Sequence, residues 1–417
     1  MKIQKFLSLL VLSLFIFNGT GCKKSAGSAD TAPSQGAVCT IDGVEIPIAE
    51  FTREYNFFLK VNYSEGRQEI LREDKDEMKK YYQSQFVPQR LFVKYIDKLE
   101  MFKNRDFYNQ VTEHFKMLGL VQYATYLNVA TKYKEPSDAK LKEFYAELQQ
   151  SNEPQVQEIL PKLKNLPWNR QRIGLLEIHK RLMTNRLSLE YLDKIRQENR
   201  LIQNDDLEQN LIAKYIKGDL EMDKILNDPD KKLWLLKFND TIYSAGDIEK
   251  MLRLLVELNS GKEQLEKYLK NKKTQNSFRK LVWQNISSQL LIYLDAKKKK
   301  LEQTEDGKFF MEAIARSSFA KIYAMKMVEN KISEPTDAEI TSAYKKLKQK
   351  NSQVPAMNAE VKEYIKNQLK QQKAQLEMMR IAERLKDRHV IIMNTKFFQT
   401  AEERETQQQQ GAARTTN

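Results

Sequence analysis

The sequence predicts a mainly α-helical protein whose long helices are joined by short β-hairpins, and three observations carry that expectation. Only 13 Gly and 10 Pro stand among its 417 residues, so tight turns are few, while the helix formers Lys, Leu, Glu and Gln are abundant. Apolar residues recur at helical spacing: Val361, Ile365, Leu369, Leu376, Met379, Ala382 and Leu385 follow at steps of three, four and seven, one stripe along a long helix. Hydrophobic residues make up 41%, enough for a sizeable core, which excludes a disordered chain. A large sandwich or barrel would need more turn residues. By length, about two to three domains fit.

The chain opens with Lys2 and Lys5, an apolar run from Phe6 to Phe17, and then Asn18-Gly19-Thr20-Gly21-Cys22. The run is too short to span a bilayer comfortably but suits a secretory signal. Residues 1–21 are therefore expected to be a signal peptide. The small residues ahead of Cys22 resemble a bacterial lipoprotein signal, in which the cysteine becomes the first residue and carries acyl chains; Gly19 stands where leucine is usual. Two or more chains anchor stably. Cys22 is thus the expected lipidation site, and the expected location is the cell envelope, lipid-anchored at the outer membrane facing the periplasm. The alternative is an ordinary cleaved signal with Cys22 a plain thiol. Residues 22–37, small and polar, are expected to form a tether with a root-mean-square span of about 20 Å. Cys39 is expected to be a lone buried thiol, since pairing with Cys22 would compete with lipidation and no activating neighbour is apparent.

Beyond the tether, one plan recurs. Thr40-Ile-Asp42-Gly43-Val-Glu-Ile46 reads as strand, turn and strand, followed by a helix whose face is Phe51, Tyr55, Phe58 and Leu59. Leu236 to Ile248 has the same grammar. Glu135-Pro136-Ser137-Asp138-Ala139 leads into Leu141, Tyr145 and Leu148, as Glu334-Pro335-Thr336-Asp337-Ala338 leads into Ile340, Tyr344 and Leu347. Proline before a Ser/Thr cap and then apolar residues at helical steps is a helix start. Thr336 with Glu339 also makes a capping box. A helix then closes into a short β-branched strand in both places, at Leu201-Ile202 and at Val390-Ile391-Ile392. The order of these landmarks predicts a first helical lobe at 38–204, a connecting segment at 205–232, a second lobe at 233–395 and a disordered tail at 396–417.

The segment VCTIDGVEIPIAEF, the helix EPTDAEITSAYKKL and the return LKDRHVIIMN together resemble the SurA/PrsA/trigger-factor group of extracytoplasmic chaperones. The resemblance implies a lobe built from an N-terminal hairpin with its helices and a C-terminal helix and strand. A parvulin-type prolyl isomerase is commonly inserted in that family. Here only Lys348 to Ala359 intervenes after Leu347, and about twenty residues follow Leu148, whereas a folded module needs about 50 or more. Paired histidines and a Gly-rich parvulin stretch are absent from the sequence.

Other chemistry is equally sparse. The histidines are His114, His179 and His389 alone, and the cysteines two, which excludes most His- or Cys-rich metal sites and a disulfide framework. Glu177-Ile-His179 lacks the spacing of a zinc protease helix, and His179 is expected to be solvated in its basic stretch. His114 and His389 each stand alone in sequence. No Gly-rich phosphate loop and no Gly-x-Ser-x-Gly elbow occurs. The chain is therefore expected not to be an enzyme and to need no cofactor or metal.

Charge offers one more feature. From Lys262 to Lys300 stand eleven Lys/Arg against three Asp/Glu, interleaved with Tyr268, Phe278, Trp283 and Tyr293. For an exported chain this argues against nucleic acid and fits exposed helix faces, an anionic membrane surface or an acidic unfolded client. Two function classes follow. One is a membrane-anchored holdase chaperone binding unfolded exported or outer-membrane polypeptides, without isomerase chemistry. The other is a structural or adaptor lipoprotein holding one folded envelope partner. The sequence names neither client-binding residues nor an oligomeric state.

Overall fold

The computed structural model describes residues 33–63, 65–150, 163, 166–198, 202–217, 225, 227, 232–238, 241–260, 272–329, 331–350 and 355–400. The expected signal peptide, Cys22, most of the tether and the tail beyond 400 lie outside the described residues. The protein is mainly helical with two small three-stranded sheets, the class expected. It divides into two compact units, residues 1–109 with 316–417, and residues 110–315. These are not the consecutive lobes 38–204 and 233–395. The reason lies in how the strands pair.

In the first unit, β1 (Ala37–Ile41) and β2 (Val44–Pro47) form an antiparallel hairpin. Its turn residues Asp42 (φ 53°) and Gly43 (φ 80°) both take positive φ, the geometry that matches strand twist and that Asp-Gly favours. A third strand, Ile391–Met393, the last in the chain, adds to the free edge of β1. Cys39 is a free, buried thiol, and burial pushes its pKa up.

Helix α1 (Ile48–Asn62) follows the hairpin directly and buries Phe51, Tyr55, Phe58 and Leu59, the face its spacing predicts. The Tyr55 hydroxyl donates to the Leu71 carbonyl at 2.7 Å, tying α1 to α2 (Glu65–Glu73). Helix α3 (Lys75–Tyr81) continues into α4 (Val87–Lys94) through one π turn, Tyr82–Phe86. Pro88 accounts for the wide turn. It has no N–H, and in a regular helix its ring would collide with the carbonyl four residues earlier. The turn places Tyr82, Gln85 and Phe86 in the interior.

Phe51 is the hub of this core. Its ring meets Phe86 edge-on at 4.9 Å, and Phe397 and Phe398 each at 5.7 Å. Residues Thr395–Phe398 form a short 3-10 turn with Phe398 buried, so the tail expected to be disordered from 396 is ordered at its start. Two aromatic rings bury more apolar surface here than the holding of a few residues offsets.

In the second unit, β3 (Ile202–Gln203), β4 (Trp234–Phe238) and β5 (Thr241–Ser244) form a sheet in that order. Its register repeats the first sheet's. The first hairpin pairs Ala37 with Pro47, Cys39 with Ile46 and Ile41 with Val44; the second pairs Trp234 with Ser244, Leu236 with Tyr243 and Phe238 with Thr241. Each has its irregularity after the first pair. With Ile391–Met393 now numbered β6, Met393 and Ile392 face Cys39 and Thr40 as Gln203 and Ile202 face Leu236 and Lys237. Asn394 N–H donates to the Val38 carbonyl and Asn204 N–H to the Leu235 carbonyl, both at 2.9 Å. Each asparagine then caps the next turn: Asn394 Oδ1 accepts from Phe397 N–H at 3.3 Å, and Asn204 Oδ1 from Leu207 N–H at 3.0 Å. Each hairpin is thus closed by the strand that follows the other hairpin's half of the sequence.

Helix α5 (Arg105–Asn128) runs from the first unit into the second. Residues 205–232, expected to connect, instead begin with a helix numbered here after α6 (Asp138–Gln150) and α7 (Trp168–Glu198) as α8 (Asp205–Lys217). Leu207 and Leu211, four apart, place one face of α8 on the core with Leu235, Leu236, Ile248 and Leu290. Helices α9 (Ala245–Ser260) and α10 (Lys272–Lys298) supply most of that cluster, with Met117 of α5 and Ile225 beside them. Helix α11 (Glu305–Glu329) crosses α5 at Gly119, where a Cβ would lie 2.5 Å from Met311 Cα and 2.7 Å from the Phe310 carbonyl oxygen. Only glycine permits so close a backbone approach.

Candidate functional site

Two helical arms carry the surface of interest, one in each unit: α6 with α7, and α12 (Asp337–Lys350) with α13 (Ala359–Lys386). Both start as the sequence predicts. Ser137 Oγ accepts from Lys140 N–H at 3.4 Å and Thr336 Oγ1 from Glu339 N–H at 3.2 Å. Glu339 returns a carboxylate oxygen to Thr336 N–H at 2.7 Å, completing the capping box. The helices of each arm are pinned by an ion pair at matching positions, Arg172–Asp138 at 2.8 Å and Lys362–Asp337 at 2.8 Å. Lys366 and Lys370 add bridges to Glu334, and Lys373 to Glu339. Those lysines hold the Glu334, Asp337 and Glu339 carboxyls below their ordinary range, with Thr336 N–H the main cause at Glu339.

The arms differ in how they are covered. On the first, Leu141, Leu148, Leu163, Leu175, Leu176 and Ile178 form a buried cluster with Leu166 and Trp168 against it. Leu163, from the connection between the helices, lies over Gly174, where a Cβ would come 2.6 Å from its Cδ2. On the second arm, Ile340 and Ile365 are buried like Leu141 and Leu175. Leu347, however, is 37% exposed where its counterpart Leu148 is 5%. Tyr364, at the position of Gly174, is 49% exposed, and Met357 and Leu376 are exposed as well. The connections explain the contrast: residues 151–167 join the first pair and only 351–358 the second.

None of the three histidines is solvated as a free side chain. His179 is partly buried, with Nδ1 at 3.2 Å from the Tyr133 hydroxyl and its ring edge-on to Phe144 at 5.0 Å. The expectation that it is solvated is corrected, because it faces the interior of the first arm; burial lowers its pKa. His114 is buried on α5, and burial pushes its pKa down to about 4. His389, isolated in sequence, meets Asp42 Oδ2 through Nδ1 at 2.7 Å and the Tyr95 hydroxyl through Nε2 at 3.0 Å. Lys94 Nζ also reaches Asp42, at 2.5 Å. Burial alone would push the Asp42 carboxyl up, but Lys94, His389 and the Val390 N–H together hold it below the usual carboxylate range. Both ring nitrogens of His389 are thereby taken up in holding the β6 end of the chain to the hairpin turn.

The remaining buried charges are also tied into packing. Arg90 pairs with Glu50 at 2.5 Å and Glu54 at 2.7 Å, Arg316 pairs with the same two carboxylates, and the Arg90 guanidinium lies 3.5 Å from the Phe86 ring centroid. Asp295, fully buried, accepts from Tyr191 at 2.8 Å and Lys299 at 2.7 Å. Of the basic stretch 262–300, the side chains described begin at residue 285; Lys297 there pairs with Glu302 at 3.0 Å. Among the described residues no group of three or more His, Cys, Asp or Glu is placed to hold a metal, and no helix is long and apolar enough to cross a membrane. Sequence reasoning named no client-binding residue; the exposure of Leu347 was hidden because its helical spacing is that of a core position. Compared with family models, curated proteins and solved structures, the chain matches none.

Proposed function

We propose that this protein is a lipid-anchored holdase of the cell envelope, which binds unfolded exported polypeptides through its helical arms and has no isomerase chemistry. The observation that carries the reading is that large apolar side chains stand exposed on the helical arms, Leu347, Met357, Tyr364 and Leu376 on the second and Ile173 and Leu189 on the first. Holding an unfolded chain needs accessible apolar surface and modest, reversible affinity, not a positioned set of reacting groups. The sequence resemblance to the SurA/PrsA/trigger-factor group supports the same reading. So does a plan used twice: matching strand registers, asparagine caps and arm ion pairs fit a duplicated hairpin–arm–strand unit whose closing strands have been exchanged. Cys22 supplies the anchor in this proposal, and the tether keeps the arms near the membrane.

The purified protein is expected to suppress aggregation of a polypeptide diluted from denaturant, read by light scattering, at near-stoichiometric ratio. It should leave the rate of X-Pro isomerisation in a test peptide unchanged, a step with a barrier of about 18–20 kcal/mol. Cys22→Ala should leave the membrane fraction. Failure to hold any unfolded chain, alongside one tight folded partner, would move the reading to an adaptor lipoprotein.

A further inference from the structure

We infer that Asp42-Gly43 is a site of self-modification by aspartate isomerisation, and that the closing strand β6 holds this reaction off, so that the turn keeps a chemical record of any lasting opening of the first sheet. The step needs only these two residues and water. The Gly43 amide nitrogen attacks Cγ of Asp42; a C–N bond forms, and the C–O bond to one carboxyl oxygen breaks. That oxygen leaves as water, carrying the carboxyl proton and the amide proton. Water then adds to either carbonyl of the cyclic imide, giving aspartate again or isoaspartate, in which the main chain runs through Cβ and Cγ. Glycine hinders the closure least, since no side chain stands beside the attacking nitrogen. The turn is also open to water: the Asp42 side chain is 37% exposed, and nothing lies within 4 Å of where a Gly43 Cβ would stand.

What holds the reaction back comes from outside the turn. Both carboxyl oxygens are engaged: Oδ1 accepts from the Val390 N–H at 3.1 Å, while Oδ2 accepts from Lys94 Nζ at 2.5 Å and meets His389 Nδ1 at 2.7 Å. Swinging Cγ onto the Gly43 nitrogen breaks these bonds, and a misplacement of about 1 Å slows a reacting pair by about a hundredfold. Only a protonated carboxyl expels water readily, and bonds of this kind favour the ionised form. Burial works the other way at Asp42, but Lys94, His389 and the Val390 N–H outweigh it and keep the carboxyl below its ordinary range. Two of the three partners, His389 and Val390, lie in the chain leading into β6, where the Val390 carbonyl also accepts from the Asp42 N–H at 2.8 Å. Departure of β6 from the sheet therefore frees the carboxyl. Its modification then bars the return. In isoaspartate the free carboxylate sits directly on Cα, short of its former reach, and cannot meet all three partners again. The other Asp-Gly of the sequence, Asp306-Gly307, makes the contrast. There the Gly307 N–H donates to Thr304 Oγ1 at 3.0 Å in the first turn of α11, so its protection is local and owes nothing to β6.

The test follows isoaspartate at residue 42 in the full chain, incubated for weeks at neutral pH and then digested. Mass spectrometry with electron-transfer fragmentation locates it, because the main chain of isoaspartate breaks between Cα and Cβ. A synthetic peptide of residues 38–48 sets the unprotected rate. The parent chain should isomerise more slowly than the peptide by about tenfold or more. Lys94→Ala removes one partner of Oδ2 and leaves the β6 backbone bonds in place. It should quicken the reaction by about threefold or more, with a circular dichroism spectrum like that of the parent. The double variant Lys94→Ala/His389→Ala should approach the peptide's rate, while Asp306-Gly307 keeps its parent rate in both. Should the double variant fail to fold, Lys94→Ala alone decides. A parent rate equal to the peptide's, or a folded Lys94→Ala no faster than the parent, would overturn the inference. So would acceleration at both Asp-Gly sites of Lys94→Ala together, which is the mark of general unfolding. Hydrogen exchange on the isomerised fraction reads the barred return. The amides of Asp42 and Asn394, which bond the Val390 and Val38 carbonyls, should lose protection there, and protection equal to the parent's would refute it.

Discussion

Gly119→Ala sets two physical effects against each other. Alanine is the better helix former by about 0.8–1.0 kcal/mol in a helix interior, so propensity alone makes the variant more stable. The crossing of α5 and α11 says the opposite. The new methyl carbon would lie 2.5 Å from Met311 Cα and 2.7 Å from the Phe310 carbonyl oxygen, where ordinary carbon contacts are about 3.5–4.0 Å. Both obstacles are backbone, so no rotamer relieves them, and the helices must separate by about 1 Å. Overpacking of this kind costs about 1–3 kcal/mol and more where the backbone must shift. The net expectation is a loss of about 2 kcal/mol in the second unit. Gly174→Ala is the control. Its methyl would meet Leu163 Cδ2 at 2.6 Å, the far end of a side chain that can turn aside, so the two effects should nearly cancel. Trp168, Trp234 and Trp283 are the protein's three tryptophans and all lie within 110–315, so tryptophan fluorescence during urea unfolding reads this unit. A Gly119→Ala midpoint equal to or above that of the parent chain would refute the reasoning.

Other outcomes follow from the same geometry. Glu54→Gln removes a charge shared by Arg90 and Arg316 inside the first unit and should cost about 3 kcal/mol, the usual range for breaking a buried pair; an unchanged denaturation midpoint by circular dichroism would contradict it. His114 has a folded pKa pushed down to about 4, below the ordinary 6.5, so the unfolded chain binds the extra proton first. Its contribution is complete above about pH 6.5 and shrinks by about 2 kcal/mol on acidification to pH 5, a loss that His114→Phe should not show in urea titrations at the two pH values. Asn394→Ala and Asn204→Ala should each cost about 1 kcal/mol as lost caps, the second lowering the tryptophan-detected midpoint and the first leaving it in place.

Much of the fold was legible because it is local. The helix starts at Ser137 and Thr336 follow from a proline, a hydroxyl and apolar steps, and the Asp42-Gly43 turn from its residue types. The partners of the closing strands were not legible. The registers Cys39–Met393 and Leu236–Gln203 are interchangeable in their pattern, so alternation of side chains cannot say which hairpin a strand joins. The contacts of His389 with Asp42, and of Arg316 with Glu54, unite residues far apart in sequence, and composition holds no record of such meetings. Leu347 stands at the same helical step as the buried Leu148, yet it is exposed. Whether a helical face is covered depends on the length of a neighbouring connection, which periodicity does not contain.

The pairing of the closing strands also sets a timetable. The second sheet can form as soon as residue 244 has been delivered, because β3 precedes β4 and β5 in the chain. The first sheet begins at residue 37 and must wait for 391–393, nearly the last described part of the molecule. A chain threaded from its N-terminus therefore carries an open first hairpin, with one edge of β1 unpaired, throughout its own emergence. Interrupted synthesis before residue 391 leaves that edge bare permanently, beside a second unit already closed. Completeness of the polypeptide is in this way written into its folded state, as a single unfinished sheet that a protease can find.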